Sequence, residues 1–152
     1  PTPPPPPTPP HPLTRTLPTP AALGPATTGG PPAANLASTG IKTLLLDIVP
    51  SDLPDDKKSD AQARNRIVKA GLDAVLNAKP ALLMQKKDAA WIQIGNLEDD
   101  FNLLADCDWI VEVVVENLAV KQDLLKRIET IRRPGTIVST NTSGIPLKNM
   151  SS

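Results

Sequence analysis

Thr43-Leu44-Leu45-Leu46-Asp47-Ile48 is a continuous apolar run closed by an acid, with Pro50 just beyond it. The run is too short for a typical helix, and it lacks the polar alternation of a half-exposed strand. It reads as a strand buried on both faces. Such strands belong to parallel sheets covered by helices above and below. The same pattern recurs downstream. Trp91-Ile92-Gln93-Ile94 alternates and stops at Gly95. Residues 108–115 form a third strand, apolar along Trp109-Ile110-Val111 and Val113-Val114-Val115. Thr136-Ile137-Val138-Ser139 forms a fourth.

Helical periodicity fills the gaps. Ser59 opens a helix with Gln62 in a capping-box position, and Val68, Leu72, Val75 and Leu76 share one face until Pro80 stops it. Its opposite face carries Arg64, Arg66 and Lys69, either as a solvated surface or as a grip on an acidic ligand. Residues 118–131 repeat apolar side chains at Val120, Leu124, Ile128 and Ile131, and Arg132-Arg133-Pro134-Gly135 closes that helix. Residues 33–39 read as a short helix ended by Gly40. Strands alternating with helices give an α/β fold, a partial Rossmann-like parallel sheet with flanking helices.

Ahead of this pattern the polymer changes. Of 19 prolines, 14 fall in the first 32 residues, and of 32 charged residues only Arg15 precedes Lys42. Residues 1–32 therefore read as a low-complexity Pro/Thr/Ala/Gly segment that cannot offset its ordering entropy, and residues 33–152 as the folded part. Pro3 to Pro7 contain PxxP spacing, but Arg15 is misplaced for an SH3 ligand, and a disordered tail is the better reading. The chain is long enough for one domain. Lys plus Arg and Asp plus Glu are both 16, which excludes a broad electrostatic footprint for nucleic acid or anionic membrane. No apolar run reaches transmembrane length. The single cysteine, Cys107, suits a reducing cytoplasm, and its neighbours Asp106 and Asp108 make it a poor nucleophile. No cluster of metal-ligand residues is present.

Ligands of open parallel sheets bind outside the carboxyl ends of the strands. Polar residues occupy those ends: Asp47 after the first run, Glu116-Asn117 after the third strand, and Asn141-Thr142-Ser143 after the fourth. Gathered on one rim they fit a dinucleotide site, with Asp47 accepting from a ribose hydroxyl and repelling a 2′-phosphate.

Four stretches carry a specific resemblance. They are Gly40 to Pro50 (GIKTLLLDIVP), Gly95 to Asp100 (GNLEDD), Trp109 to Lys121 (WIVEVVVENLAVK) and Ile137 to Gly144 (IVSTNTSG). With them, residues 33–152 resemble the NAD-binding domain of 3-hydroxyacyl-CoA dehydrogenases, above all the bacterial β-oxidation type fused to enoyl-CoA hydratase. The resemblance implies NAD as cofactor and a 3-hydroxyacyl-CoA or 3-oxoacyl-CoA as substrate, in the cytoplasm. It further implies a homodimer formed through a helical domain that this chain does not include. Asp47 resembles the acid that holds the adenosine ribose, Glu116 and Lys121 the pair along the cofactor, and Asn141 and Ser143 the polar pair near nicotinamide and substrate hydroxyl. The family's acid/base is a His in a later H-F-F-N-P motif, oriented by a Glu. The chain ends before either, so it is expected to be inactive alone.

The family also opens with a strand and a G-x-G-x-x-G turn. The corresponding residues here are Gly24-Pro25-Ala26-Thr27-Thr28-Gly29, in which Ala26 replaces the second glycine and places a methyl where the backbone approaches a pyrophosphate. The preceding strand would span residues 13–23 and hold Pro18 and Pro20, against expectation for a central strand. The following helix would begin only at about Pro31. The composition change near Pro32 fits a misread N-terminal coding region and a C-terminal cut better than natural divergence. The competing reading is a non-catalytic interaction protein, a Pro-rich ligand tail on an α/β scaffold.

Overall fold

The computed structural model of the chain describes residues 18–82, 85–114 and 117–141. Five strands form one parallel sheet: β1 (Pro20–Leu23), β2 (Thr43–Asp47), β3 (Ile92–Asn96), β4 (Trp109–Glu112) and β5 (Ile137–Thr140). Their spatial order is β3-β2-β1-β4-β5. Four helices connect them: α1 (Ala26–Ser38), α2 (Ala61–Arg64), α3 (Arg66–Leu76) and α4 (Leu118–Ile131).

The sheet is covered on both faces, which is why its strands read as unbroken apolar runs. Ala21, Leu23, Leu44, Leu46 and Ile110 point to the face packed by Leu124 and Ile128 of α4. Ala22 and Leu45 point to the other, where Ala33, Ala34 and Ala37 of α1 meet Val68 and Val75 of α3.

The central strand corrects the sequence reading. β1 lies between β2 and β4, where the fold requires a strand, despite its proline. It is only four residues long, so Pro18 falls outside it and Pro20 is its first residue. Pro20 is in register with Trp109 on β4, and pairing with β2 starts at Ala21 opposite Leu44. Proline is tolerated at a strand's first position because little of the ladder depends on its missing N–H. The second correction is α1. It begins at Ala26, not near Pro31, and runs through Pro31 and Pro32. Two interior prolines forfeit helical hydrogen bonds. They are offset by a buried face of small residues, Gly29, Gly30, Ala33, Ala34 and Ala37, pressed onto the sheet and α3. Position 32, the expected edge of the folded part, thus lies inside α1.

The region between β2 and β3 also differs from its expected form. The helix is capped by Asp60, whose side chain accepts from the Gln62 amide, rather than by Ser59, and Asn65 splits it into α2 and α3. The basic face is used internally. Arg64 donates to Asp99 at 2.6 Å and to Glu98 at 2.7 Å, and Arg66 pairs with Asp52. The Arg64 bonds fasten the helical insertion to the turn that follows β3, and the Arg66–Asp52 pair ties α3 to the segment after β2.

Candidate functional site

Parallel strands bring all their carboxyl ends to one edge. In register, Gly95, Leu46, Leu23, Glu112 and Thr140 form one row across the sheet. Asp47 and Asn141 each lie one residue beyond that row. They stand on β2 and just past β5, three strand spacings or about 14 Å apart. Glu116 and Ser143 lie outside the described residues. The chain reverses direction across the sheet between β1 and β4, and the crevice at such a switch point is where doubly wound folds take ligands.

The first βα turn is built for close approach. Gly24 has φ +129°, and a Cβ there would lie 2.8 Å from the backbone of both Val113 and Val114, so only glycine fits. Its amide donates to the Leu46 carbonyl at 2.9 Å. A Cβ on Gly29 would meet Val113, Leu45 and Ala22 at 3.2–3.4 Å, which ties this glycine to helix–sheet packing. Ala26, the departure from the glycine pattern, is only 3% exposed. Its methyl faces Gly71 of α3, where a side chain would collide with it. The methyl expected to obstruct a pyrophosphate is therefore absorbed by a missing side chain on α3. Pro25 gives α1 no side-chain cap and no acid stands in its own first turn, so the anion at its positive end is Asp47, which reaches the Ala26 amide from the end of β2.

Asp47 joins the two halves of this edge. Its Oδ2 accepts from the Ala26 amide at 3.0 Å and its Oδ1 from the Ile48 amide at 2.7 Å. Burial pushes its carboxyl above the ordinary aspartate value, outweighing the two amides that pull it down.

The resemblance places Lys121 and Glu116 along the cofactor; among the described residues Lys121 is ion-paired with Glu112. Lys121 Nζ lies 2.8 and 3.0 Å from the two Glu112 carboxylate oxygens and 3.1 Å from the Val114 carbonyl. Both side chains are 0% exposed. Glu112 also accepts from the Val114 amide at 2.6 Å and the Thr140 hydroxyl at 2.6 Å, and its carbonyl accepts from the Asn141 amide. One buried pair thus fixes the turn after β4 and the end of β5 together. Glu112 was legible in principle: an acid inside an apolar strand run needs a buried partner. Lys121 shares a helical face with Leu124 and Ile128, whereas Val120, assigned to that stripe from sequence, is 46% exposed.

A cleft of about 310 Å³ opens along this edge. Gly24, Pro25 and Asp47 form one end, and Ile48, Val49, Leu97, Val114, Val120 and Leu124 supply apolar walls. Glu98, Asp123 and Arg127 line it as well. A turn admitting close backbone approach, the start of α1, an acid lining the cleft and apolar walls suit the phosphate, ribose and base of a dinucleotide. Cys107 takes no part. It is buried, and burial together with Asp108 and Asp106 pushes its thiol up to about 11.

Residues 20–152 match the family described as "3-hydroxyacyl-CoA dehydrogenase, NAD binding domain". The chain is 43% identical over 136 residues to a probable 3-hydroxyacyl-CoA dehydrogenase of Bacillus subtilis, covering 86% of this chain and 17% of that protein. It is 42% identical to a probable 3-hydroxyacyl-CoA dehydrogenase of Deinococcus radiodurans, covering 84% and 34%. The crystal structure of (S)-3-hydroxybutyryl-CoA dehydrogenase from Ralstonia eutropha superposes with a TM-score of 0.61 at 27% identity, covering 87% of this chain and 43% of that one. The chain spans about a sixth and a third of the two curated relatives. With a central β1, a glycine turn under it and Asp47 facing the cleft, the chain belongs to the 3-hydroxyacyl-CoA dehydrogenase family and carries its NAD-binding domain.

Proposed function

We propose that this chain holds NAD along the carboxyl edge of its sheet, in service of the oxidation of a 3-hydroxyacyl-CoA to the 3-oxoacyl-CoA. NAD supplies the hydride acceptor at C3 of the substrate. The carrying observation is the cleft that starts at Gly24 and Asp47 and continues between apolar walls. In this reading the Asp47 carboxylate accepts from the adenosine ribose hydroxyls, and its charge disfavours a 2′-phosphate. Gly24 and the start of α1 take the pyrophosphate. By the family resemblance, Asn141 and Ser143 are the residues for the nicotinamide and the substrate hydroxyl, and Glu116 is a contact along the cofactor. Lys121, fully buried on Glu112, acts through the Val114 turn rather than by touching the cofactor.

The one histidine of the chain is His11, outside the described residues, and none stands on the described carboxyl edge. We assign these 152 residues to cofactor binding, with the acid/base supplied by other parts of the family's fold, and with it the surface for dimer formation. No helix among the described residues is long and apolar enough to cross a membrane, and the free buried cysteine suits the cytoplasm. Calorimetric titration of the chain with NADH tests the reading. Submillimolar binding that weakens at least tenfold in Asp47→Ala is expected. Binding no tighter than millimolar refutes it.

A further inference from the structure

We propose that Asp123 of α4 selects the base of the dinucleotide, accepting a hydrogen bond from the 6-amino group of adenine. The inference rests on the cofactor reading above and adds a residue to it.

Four charged side chains line the cleft. Asp47 is the ribose acceptor of that reading, and two of the other three are already committed. Glu98 is held by Arg64 at 2.7 Å. Arg127 donates to the Leu97 carbonyl at 2.9 Å, with its guanidinium 4.2 Å from the centre of the Phe101 ring. Asp123 stands four residues before Arg127 on the same helix, the spacing at which acid and base ordinarily pair. They do not pair here, because Arg127 is turned to Leu97 and Phe101. Asp123 is exposed, lines the cleft, and has no hydrogen bond or ion pair among the described residues.

The rest follows from what lies between Asp47 and Asp123. The walls of the same cleft available to the base of a nucleoside held at Asp47 include Ile48 and Val120, which are 56% and 46% exposed. Such large open apolar side chains suit the faces of a flat ring. They grip any purine, so they carry no base selectivity. The polar edge of the ring must supply it, and the free polar group that lines the cleft on α4 is a carboxylate. An ionised carboxylate only accepts hydrogen bonds. It favours the amino group of adenine and repels the oxygen that a 6-oxopurine presents at the same position.

The test compares NADH with the reduced dinucleotide carrying hypoxanthine in place of adenine, titrated calorimetrically into the full chain. The wild type is expected to prefer NADH by about tenfold, the worth of one hydrogen bond to a charged acceptor. Asp123→Asn, which can donate to the 6-oxygen, brings the two affinities close to parity, and Asp123→Ala narrows the gap. Far-UV circular dichroism confirms the fold of both variants. An unchanged ratio in the two variants overturns the inference, as does a wild type that binds both dinucleotides equally tightly. Either result leaves NAD binding intact. A wild type that binds neither removes the cofactor reading and this inference with it.

Discussion

Replacing Lys121 by Met tests whether the buried pair organises the carboxyl edge. Lys121 Nζ makes bonds of 2.8 and 3.0 Å to Glu112 and 3.1 Å to the Val114 carbonyl, in a place with no solvent access. Without the ammonium, the Glu112 carboxylate stays buried with the Val114 amide and the Thr140 hydroxyl as its remaining donors among the described residues. Breaking a buried pair on one side costs about 3–5 kcal/mol. A domain of this size has about 5–15 kcal/mol in all, so the variant stands near the limit of folding. Glu112→Gln with Lys121→Met removes both charges while keeping the side chains close in volume, and is expected to recover to within about 1.5 kcal/mol of wild type. Urea unfolding followed by the fluorescence of Trp91 and Trp109 measures all four corners of the cycle. With a slope of about 1.5 kcal/mol per molar, the single variant shifts its midpoint down by about 2–3 M. The reasoning fails if Lys121→Met loses less than about 1 kcal/mol, or if the double variant is as unstable as the two singles added together.

Gly71→Ala is expected to lose several-fold more stability than an exposed helical Gly→Ala change gains, because the new Cβ meets the Ala26 methyl. Adding Ala26→Gly should restore most of the loss in the same urea assay, whereas additive effects would show that the two positions are not in contact. Pro32 is an exposed interior residue of α1. Pro32→Ala restores a helical amide and should raise stability by about 2–3 kcal/mol, read from the urea midpoint, and a neutral or negative change would contradict the helix at that position. The Asp47 carboxyl, raised by burial, protonates at a higher pH than a free aspartate. Because the native state then binds its proton more tightly than the unfolded chain, this group's burial cost is relieved as pH falls through the raised value, favouring the fold. Cofactor binding responds with the opposite sign, since only the ionised form accepts from two ribose hydroxyls. NAD affinity should fall as the pH is lowered through the raised Asp47 value in the wild type and stay flat over the same range in Asp47→Asn, measured by calorimetry.

Where the sequence was transparent, burial pattern and local chemistry agreed. Thr43–Asp47 reads as a doubly buried strand and is one. Leu118–Ile131 is bounded by Asn117, which caps it through the Val120 amide, and by a Pro-Gly pair, so both ends are written locally. β1 has no such signal. Pro-Ala-Ala-Leu carries no β-branched residue and no alternation, and its conformation is set by β2 and β4, which bond to it on both sides. α1 is likewise poor in helix formers, yet the glycines and alanines that weaken it locally are the residues that let it lie against Val113, Leu45 and Ala22. Weighing proline by identity rather than by position made both elements look forbidden. At the head of a strand the missing N–H costs little, and the rule against central prolines does not reach it. The charged pair teaches the complementary point. Glu112 interrupts an apolar strand and Lys121 an apolar helical face, and neither charge survives burial alone. Two such interruptions on adjacent elements require each other, and that requirement would have located the Glu112–Lys121 contact from the sequence.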